Sequence, residues 1–163
     1  IGYATGDCLV FSPGSPIVEV RRILLATVGA DEDRHTFSAT LELAKRFDAR
    51  MRTLVVVLSN EEFQIYGPDL LEKKRLEARK TLHEMEEKAC RERVAMEGVV
   101  KEGEVAEAIV ADAKGWKPDL IVVGSFNRTG MNRIFLGSIA GTLINKVNIP
   151  VFVAKTLIVV PGH

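Results

Sequence analysis

Leu120 to Ser138 reads LIVVGSFNRTGMNRIFLGS, and the order of its parts decides what kind of fold the chain builds. An apolar run, Leu120 to Val123, stops at Gly124. A glycine-punctuated loop follows, and a helical pattern begins at Ser138, with Ala140, Leu143, Ile144 and Val147 on one face. A loop between a strand and a helix N-terminus offers backbone N–H groups to an anion, and the helix dipole favours negative charge there. It is not a Walker loop, because no Gly-Lys-Ser/Thr closes it. Taken alone, Gly137-Ser138 reads as a helix start capped by Ser138.

Outward from this stretch the same alternation repeats. Arg22 to Val28 (RILLATV) and Thr53 to Leu58 (TLVVVL) are near-continuous apolar runs, as expected of parallel strands covered on both faces. The helix after Gly29 is capped by Asp31 or Asp33 and turns Phe37, Leu41, Ala44 and Phe47 inward. A long charged helix runs from Asp69 to about Ala95, with Leu71, Ala78, Leu82, Met85 and Ala89 as its apolar stripe. Val99 to Lys101 is a short strand, and Val105 to Lys114 a helix with Ala106, Ile109, Val110 and Ala113 inward. After the Trp116–Asp119 turn come the Leu120 strand, the Ser138 helix, a stop at Asn148 to Pro150 and a last strand at Val151 to Ala154, extended by TLIVV at 156–160. Strands alternating with helices predict an α/β fold around a parallel sheet with right-handed crossovers. Ligands of such sheets sit at the carboxyl ends of the strands, where the Gly124 loop lies.

The chain has 163 residues, 47% of them apolar and 27% charged, with a formal net charge of zero. That suits one domain, residues 21–163, preceded by a Gly/Ser/Pro-rich arm over residues 1–20 that carries an edge strand near Cys8 to Phe11. No global field attracts nucleic acid or an anionic membrane, and the charges of the long helix are interspersed in sign. No apolar run reaches the roughly 18 residues of a spanning helix, and the start lacks a signal-peptide pattern. Opening at Ile1 is compatible with a chain cut from something longer. Cys8 and Cys90 read as free thiols in a reducing cytoplasm. His35, His83 and His163 read as surface residues and form no metal cluster; no catalytic Ser-His-Asp or Cys-His arrangement is visible.

The motifs from Arg22 to Lys155 resemble the universal stress protein family. ILLATVGA at Ile23 to Ala30 stands where that family has an ILVAVDGS-like strand and turn, and LVVV at Leu54 to Val57 where it has LLHV. GEVAEAI at Gly103 to Ile109, DLIVVGS at Asp119 to Ser125, LGS at Leu136 to Ser138 and PVFVA at Pro150 to Ala154 follow in the family's order. The resemblance implies a flavodoxin-like, Rossmann-like three-layer sandwich with a five-stranded parallel sheet of order 3-2-1-4-5. It also implies an adenine nucleotide, ATP or AMP with or without Mg2+, at the G-x-x-G-x9-G-[ST] motif of the nucleotide-binding branch. Gly124 and Asn127 would wrap the triphosphate or ribose, Gly137 and Ser138 would donate to phosphate oxygens, and Val57 would present its backbone to the adenine. Arg128 and Arg133 reach phosphates from the loop or are solvated, and Gly130 completes the loop's glycine set.

Two positions depart from the family pattern. Where its ATP binders carry Asp after the first strand, this chain has Val28, which lines the site without accepting a hydrogen bond. Losing a charge-assisted bond costs about 1.5–3 kcal/mol. Asn127 replaces the second glycine, and Asn enters the left-handed region more readily than most residues.

The expected function is a nucleotide-binding regulatory protein of the stress response, cytoplasmic and not an enzyme, with ATP hydrolysis at most slow for want of a positioned base. The alternative is a regulatory domain without nucleotide, including the cytosolic domain of a transporter. An enzyme of the nucleotide α-hydrolase type would need a pyrophosphate-splitting loop after the first strand, and TVGADED is a poor one. The Val151–Ala154 strand is an apolar sheet edge, which needs covering. Two coverings are open: the same strand of a second subunit in a homodimer, as the resemblance implies, or the arm near Cys8 to Phe11.

Overall fold

The computed structural model describes residues 8–10, 19–27, 33–59, 67–124 and 135–154. In chain order the elements are β1 (Cys8–Val10), β2 (Arg22–Thr27), α1 (Asp33–Phe47), β3 (Arg50–Leu58), α2 (Pro68–Arg91), β4 (Met96–Gly103), α3 (Val105–Trp116), β5 (Leu120–Gly124), α4 (Phe135–Lys146) and β6 (Val151–Ala154). They form one sheet in the order β1-β6-β5-β2-β3-β4. β2 to β6 are all parallel, so the expected five-stranded 3-2-1-4-5 sheet is present as β4-β3-β2-β5-β6.

The sheet is covered on both faces. Alternate residues of each strand point to opposite sides. Leu24, Leu54, Ile121 and Val151 pack with Ile109 and Ala113 of α3 and Leu143 of α4. Ile23, Leu25, Met51 and Val122 pack on the other side with Phe37, Leu41 and Ala44 of α1 and with Met85 and Ala89 of α2. Burial on both faces is why these strands read as continuous apolar runs.

Several boundaries differ from the sequence expectation. β4 runs over Met96–Gly103 instead of Val99 to Lys101. It lies at a sheet edge, where Glu97, Gly98 and Glu102 are tolerated. Phe47, expected inward, is 47% exposed because it sits in the last turn of α1, beyond the packed stripe. Leu71 is only partly buried, since α2 begins to pack in earnest at Ala78.

The β6 edge is covered from within the chain. Cys8 pairs with Val153, Leu9 with Phe152 and Val10 with Val151, antiparallel. Of the two coverings left open, the described residues show β1; the strand of a second subunit could pair with Val151–Ala154 only if β1 left. The apolar extension 156–160 lies outside the described residues.

Candidate functional site: the carboxyl end of the sheet

β2 is the central strand; the chain passes from it to β3 and β4 on one side, then returns to β5 and β6 on the other. The reversal puts a crevice at the carboxyl ends of β2 and β5. Thr27 closes β2 and is buried. Gly124 closes β5, one residue past the Ala26–Val123 pair and therefore level with Thr27. β3 overshoots: Thr27 pairs with Val55, so Val56, Val57 and Leu58 extend beyond the end of β2.

The ladder register fixes which way the backbone of Val57 points. Arg50 N donates to Arg21 O at 2.8 Å, and Met51 N donates to Ala95 O at 2.8 Å. Backbone groups alternate sides along a parallel strand. Even-numbered residues of β3 therefore face β2, and odd-numbered ones face β4. Val57, paired with Glu102, turns its N–H and C=O toward β4, while its side chain packs with Ala78 and Leu82 of α2. The backbone groups of the overshoot that face the crevice side are those of Val56 and Leu58. Sequence reasoning missed them because an apolar run carries no mark of which neighbour a given amide meets.

The helix start is also displaced. α4 begins at Phe135, so Gly137 is its third residue and Ser138 its fourth. Ser138 is thus inside the first turn and not the cap. The first N–H groups of a helix have no intrahelical acceptor, and those of Phe135, Leu136 and Gly137 are in that position. Val28, Asn127, Arg128, Gly130 and Arg133 lie outside the described residues.

Charge distinguishes the helix ends at this pole. α2 carries Asp69 in its first turn. α3 is capped by Glu104, whose carboxylate accepts from Ala106 N at 3.2 Å and Glu107 N at 2.9 Å, and Glu107 adds a second acid. Each of these ends has its own negative partner for the dipole. α4 has no acid in its first turn and a Lys in its last. Leu143 and Val147, both buried in the core, fix α4 against the sheet. Among the described residues, no acid of its own first turn meets its amino end.

A second polar feature lies in α1, the helix after β2. Thr36, its fourth residue, is fully buried, and its hydroxyl has no hydrogen-bond partner. Thr40 Oγ1 donates to Thr36 O at 2.7 Å. The i, i+4 threonine pair beside Phe37 and Leu41 was the available signal in the sequence. Among the described residues, no group of three His, Cys, Asp or Glu side chains converges as a metal site, and no helix is long and apolar enough to cross a membrane.

A doubly wound α/β domain with an acid-free helix start at its switch point defines a class of anion- and nucleotide-binding folds. The profile of the universal stress protein family matches residues 19–155, and the chain belongs to that family. A universal stress protein of Methanocaldococcus jannaschii is 32% identical over 142 residues, covering 83% of this chain and 82% of its own length. A solved family member from Burkholderia pseudomallei is 26% identical with a TM-score of 0.65, covering 85% of this chain and 98% of its own. A family protein of Arabidopsis thaliana, solved with AMP bound, shares the fold at 19% identity and a TM-score of 0.61, covering 85% of this chain and 93% of its own.

Proposed function

We propose that the chain binds an adenine nucleotide, ATP or AMP, with its phosphates on the amino end of α4 and the loop after Gly124, and that it acts as a regulatory protein of the stress response in the cytoplasm. The observation that carries this reading is the missing acid: α2 and α3 neutralise their own positive ends, and α4 does not. Gly137 contributes an orphan N–H and, having no side chain, lets a phosphate approach closely. In this reading Gly124, Asn127, Gly130 and Ser138 complete the cradle, and Arg128 supplies a cation from the loop between them. Val28 lines the nucleoside side, and the adenine meets the β3 overshoot at Val56 and Leu58. AMP bound to the Arabidopsis relative supports the choice of base. Mg2+ accompanies the triphosphate as its own counter-ion.

Binding, not turnover, is the activity proposed, because the sequence marks no residue as a base for an attacking water. Titration calorimetry with ATP and magnesium tests the reading. Saturable heat is expected, and it should disappear in Gly137→Val, whose side chain blocks phosphate approach while the fold remains. No heat and no thermal shift at millimolar ATP would remove the nucleotide claim.

One observation favours a second reading, a regulatory domain without nucleotide: Val28 supplies no acceptor for a ribose hydroxyl. Mass spectrometry of the freshly purified protein separates the two, since a co-purified nucleotide decides for the first.

A further inference from the structure

The parallel sheet has two outer strands, and the chain closes their edges differently. β1 hydrogen-bonds along β6. β4 has β3 on one side only, and its far side carries no strand among the described residues. The outer edge of this eight-residue strand, which pairs with no other strand among the described residues, is a template for one.

The hydrogen-bond pattern identifies which groups face outward. Met51 N takes the carbonyl of Ala95, so Glu97, Val99 and Lys101 bond inward to β3, and the amides of Met96, Gly98, Val100 and Glu102 point away from it. Near the middle of this outward row, Gly98 N donates to Glu86 Oε1 at 2.9 Å. Glu86 belongs to α2, which packs on β3 and β4 through Ala78 and Leu82. Its carboxylate therefore reaches around to the strand edge.

Glycine at residue 98 leaves room for this contact. A Cβ there would lie 2.8 Å from Glu86 Oε1 and 3.1 Å from Leu82 Cδ2. Farther along, the Glu102 carboxylate accepts from Arg75 Nε, a second tie between α2 and β4.

We infer that Glu86 is an edge guard: its carboxylate occupies the Gly98 amide and keeps β4 from pairing with the β4 strand of a second copy. An incoming strand needs that amide as donor and would bring its own carbonyl oxygens against a negative charge. A charge-assisted hydrogen bond satisfies the amide and the same carboxylate's negative charge repels the newcomer, so one side chain serves both purposes. With β1 on the opposite edge, both open sides of the sheet are closed within one chain.

Amide hydrogen exchange by NMR, with sedimentation velocity over a concentration series, tests the guard. In the unmodified chain the Gly98 amide should exchange at least about tenfold more slowly than the outward amides of Val100 and Glu102. Glu86→Ala should remove that protection at low concentration and produce concentration-dependent association beyond that of the unmodified chain. Glu86→Gln keeps an acceptor and should retain most of the protection and little of the association. Glu84→Ala, which removes an exposed charge elsewhere on α2, should change neither. Circular dichroism melts confirm that each variant is folded; should Glu86→Ala fail to fold, Gly98→Ala, which displaces the carboxylate, takes its place. Fast exchange at Gly98 in the unmodified chain overturns the inference. So does a Glu86→Ala protein that associates no more than the unmodified chain across the concentration series.

Discussion

Arg52 of β3 and Asp112 of α3 meet across the sheet–helix interface, with Arg52 Nη1 donating to the two carboxylate oxygens at 3.3 and 3.4 Å. Asp112 is 5% exposed, so its charge depends on these partners and on Lys101 Nζ at 3.5 Å. Arg52 also donates to Glu97 Oε2 at 2.9 Å, and its guanidinium lies 4.9 Å from the centroid of the Trp116 ring. One cation thereby joins β3, β4 and both ends of the last turns of α3. Arg52→Met preserves the apolar stem but strands the Asp112 carboxylate with Lys101 alone. Breaking a buried pair from one side costs about 3–5 kcal/mol. A loss near the lower end, about 3 kcal/mol, is expected in urea unfolding because Lys101 remains. Arg52→Met combined with Asp112→Leu should recover much of it; no recovery would mean that the ring contact, not the ion pair, carries the stability.

The Arg75–Glu102 tie gives a pH dependence whose sign follows from the shift. The Arg75 guanidinium holds the Glu102 carboxyl below its ordinary value of 4.5, while slight desolvation works the other way. The unfolded chain then binds more protons than the folded one below about pH 4.5, so stability falls as the pH drops through the folded value. Above that window the contribution is complete. Both side chains are about one-third exposed, so the effect is modest and salt-sensitive. Glu102→Gln should flatten the acid limb of a stability–pH curve relative to the unmodified chain, and an unchanged limb would remove Glu102 from the account.

Periodicity alone carried the buried strands, because strands covered on both faces leave unbroken apolar runs such as Leu24–Leu25 and Ile121–Val123; the order of the strands came with the family resemblance. The helix stripe Ala78, Leu82, Met85 and Ala89 was legible for the same reason. What was hidden depended on partners. β4 is longer than its apolar segment because an edge strand keeps charged residues. Val57 came from the family resemblance; that its amide turns toward β4, and those of Val56 and Leu58 the other way, is fixed by register, which no single strand reveals. Ser138 resembled a cap, yet α4 starts at Phe135, since Phe and Leu ahead of it continue the helix without a sequence mark. The cover on β6 was one of two possibilities, and only pairing of Cys8–Val10 with Val151–Val153 chose between them.

Lys117 ends α3 in the left-handed region, with φ 55° and ψ 62°, and its N–H donates to Ala113 O at 2.9 Å. Glycine is the usual residue at such a position, because a Cβ there costs about 1–2 kcal/mol. Glycine also gives the unfolded chain more freedom, which offsets about 0.4–1 kcal/mol of that gain. Lys117→Gly should therefore raise stability by about 0.5–1 kcal/mol, seen as a higher midpoint in thermal unfolding. A drop would show that the lysine side chain makes a compensating interaction. Asp48, at φ 51°, is the poorer target, since Asp tolerates this conformation better.

Two substitutions at the carboxyl end of the sheet should move nucleotide affinity in opposite directions. Ser138→Asp places a carboxylate in the first turn of α4, supplying the acid that α2 and α3 already have. It stabilises the helix end by about 0.3–1 kcal/mol and competes with phosphate for the same N–H groups, so affinity for ATP should fall while thermal stability holds or rises. Val28→Asp does the reverse. Val28 follows Thr27, the last residue of the central strand, and stands where the family's ATP binders carry a carboxylate. A charge-assisted bond to a ribose hydroxyl is worth about 1.5–3 kcal/mol, so affinity for AMP and ATP should rise roughly ten- to a hundredfold at pH 7. Val28→Asn, a neutral acceptor, should give a smaller gain of the same sign. Calorimetry on the three variants reads both directions at once. A Val28→Asp protein no tighter for AMP than the unmodified chain would place the ribose elsewhere, and a Ser138→Asp protein of unchanged affinity would move the phosphates off α4.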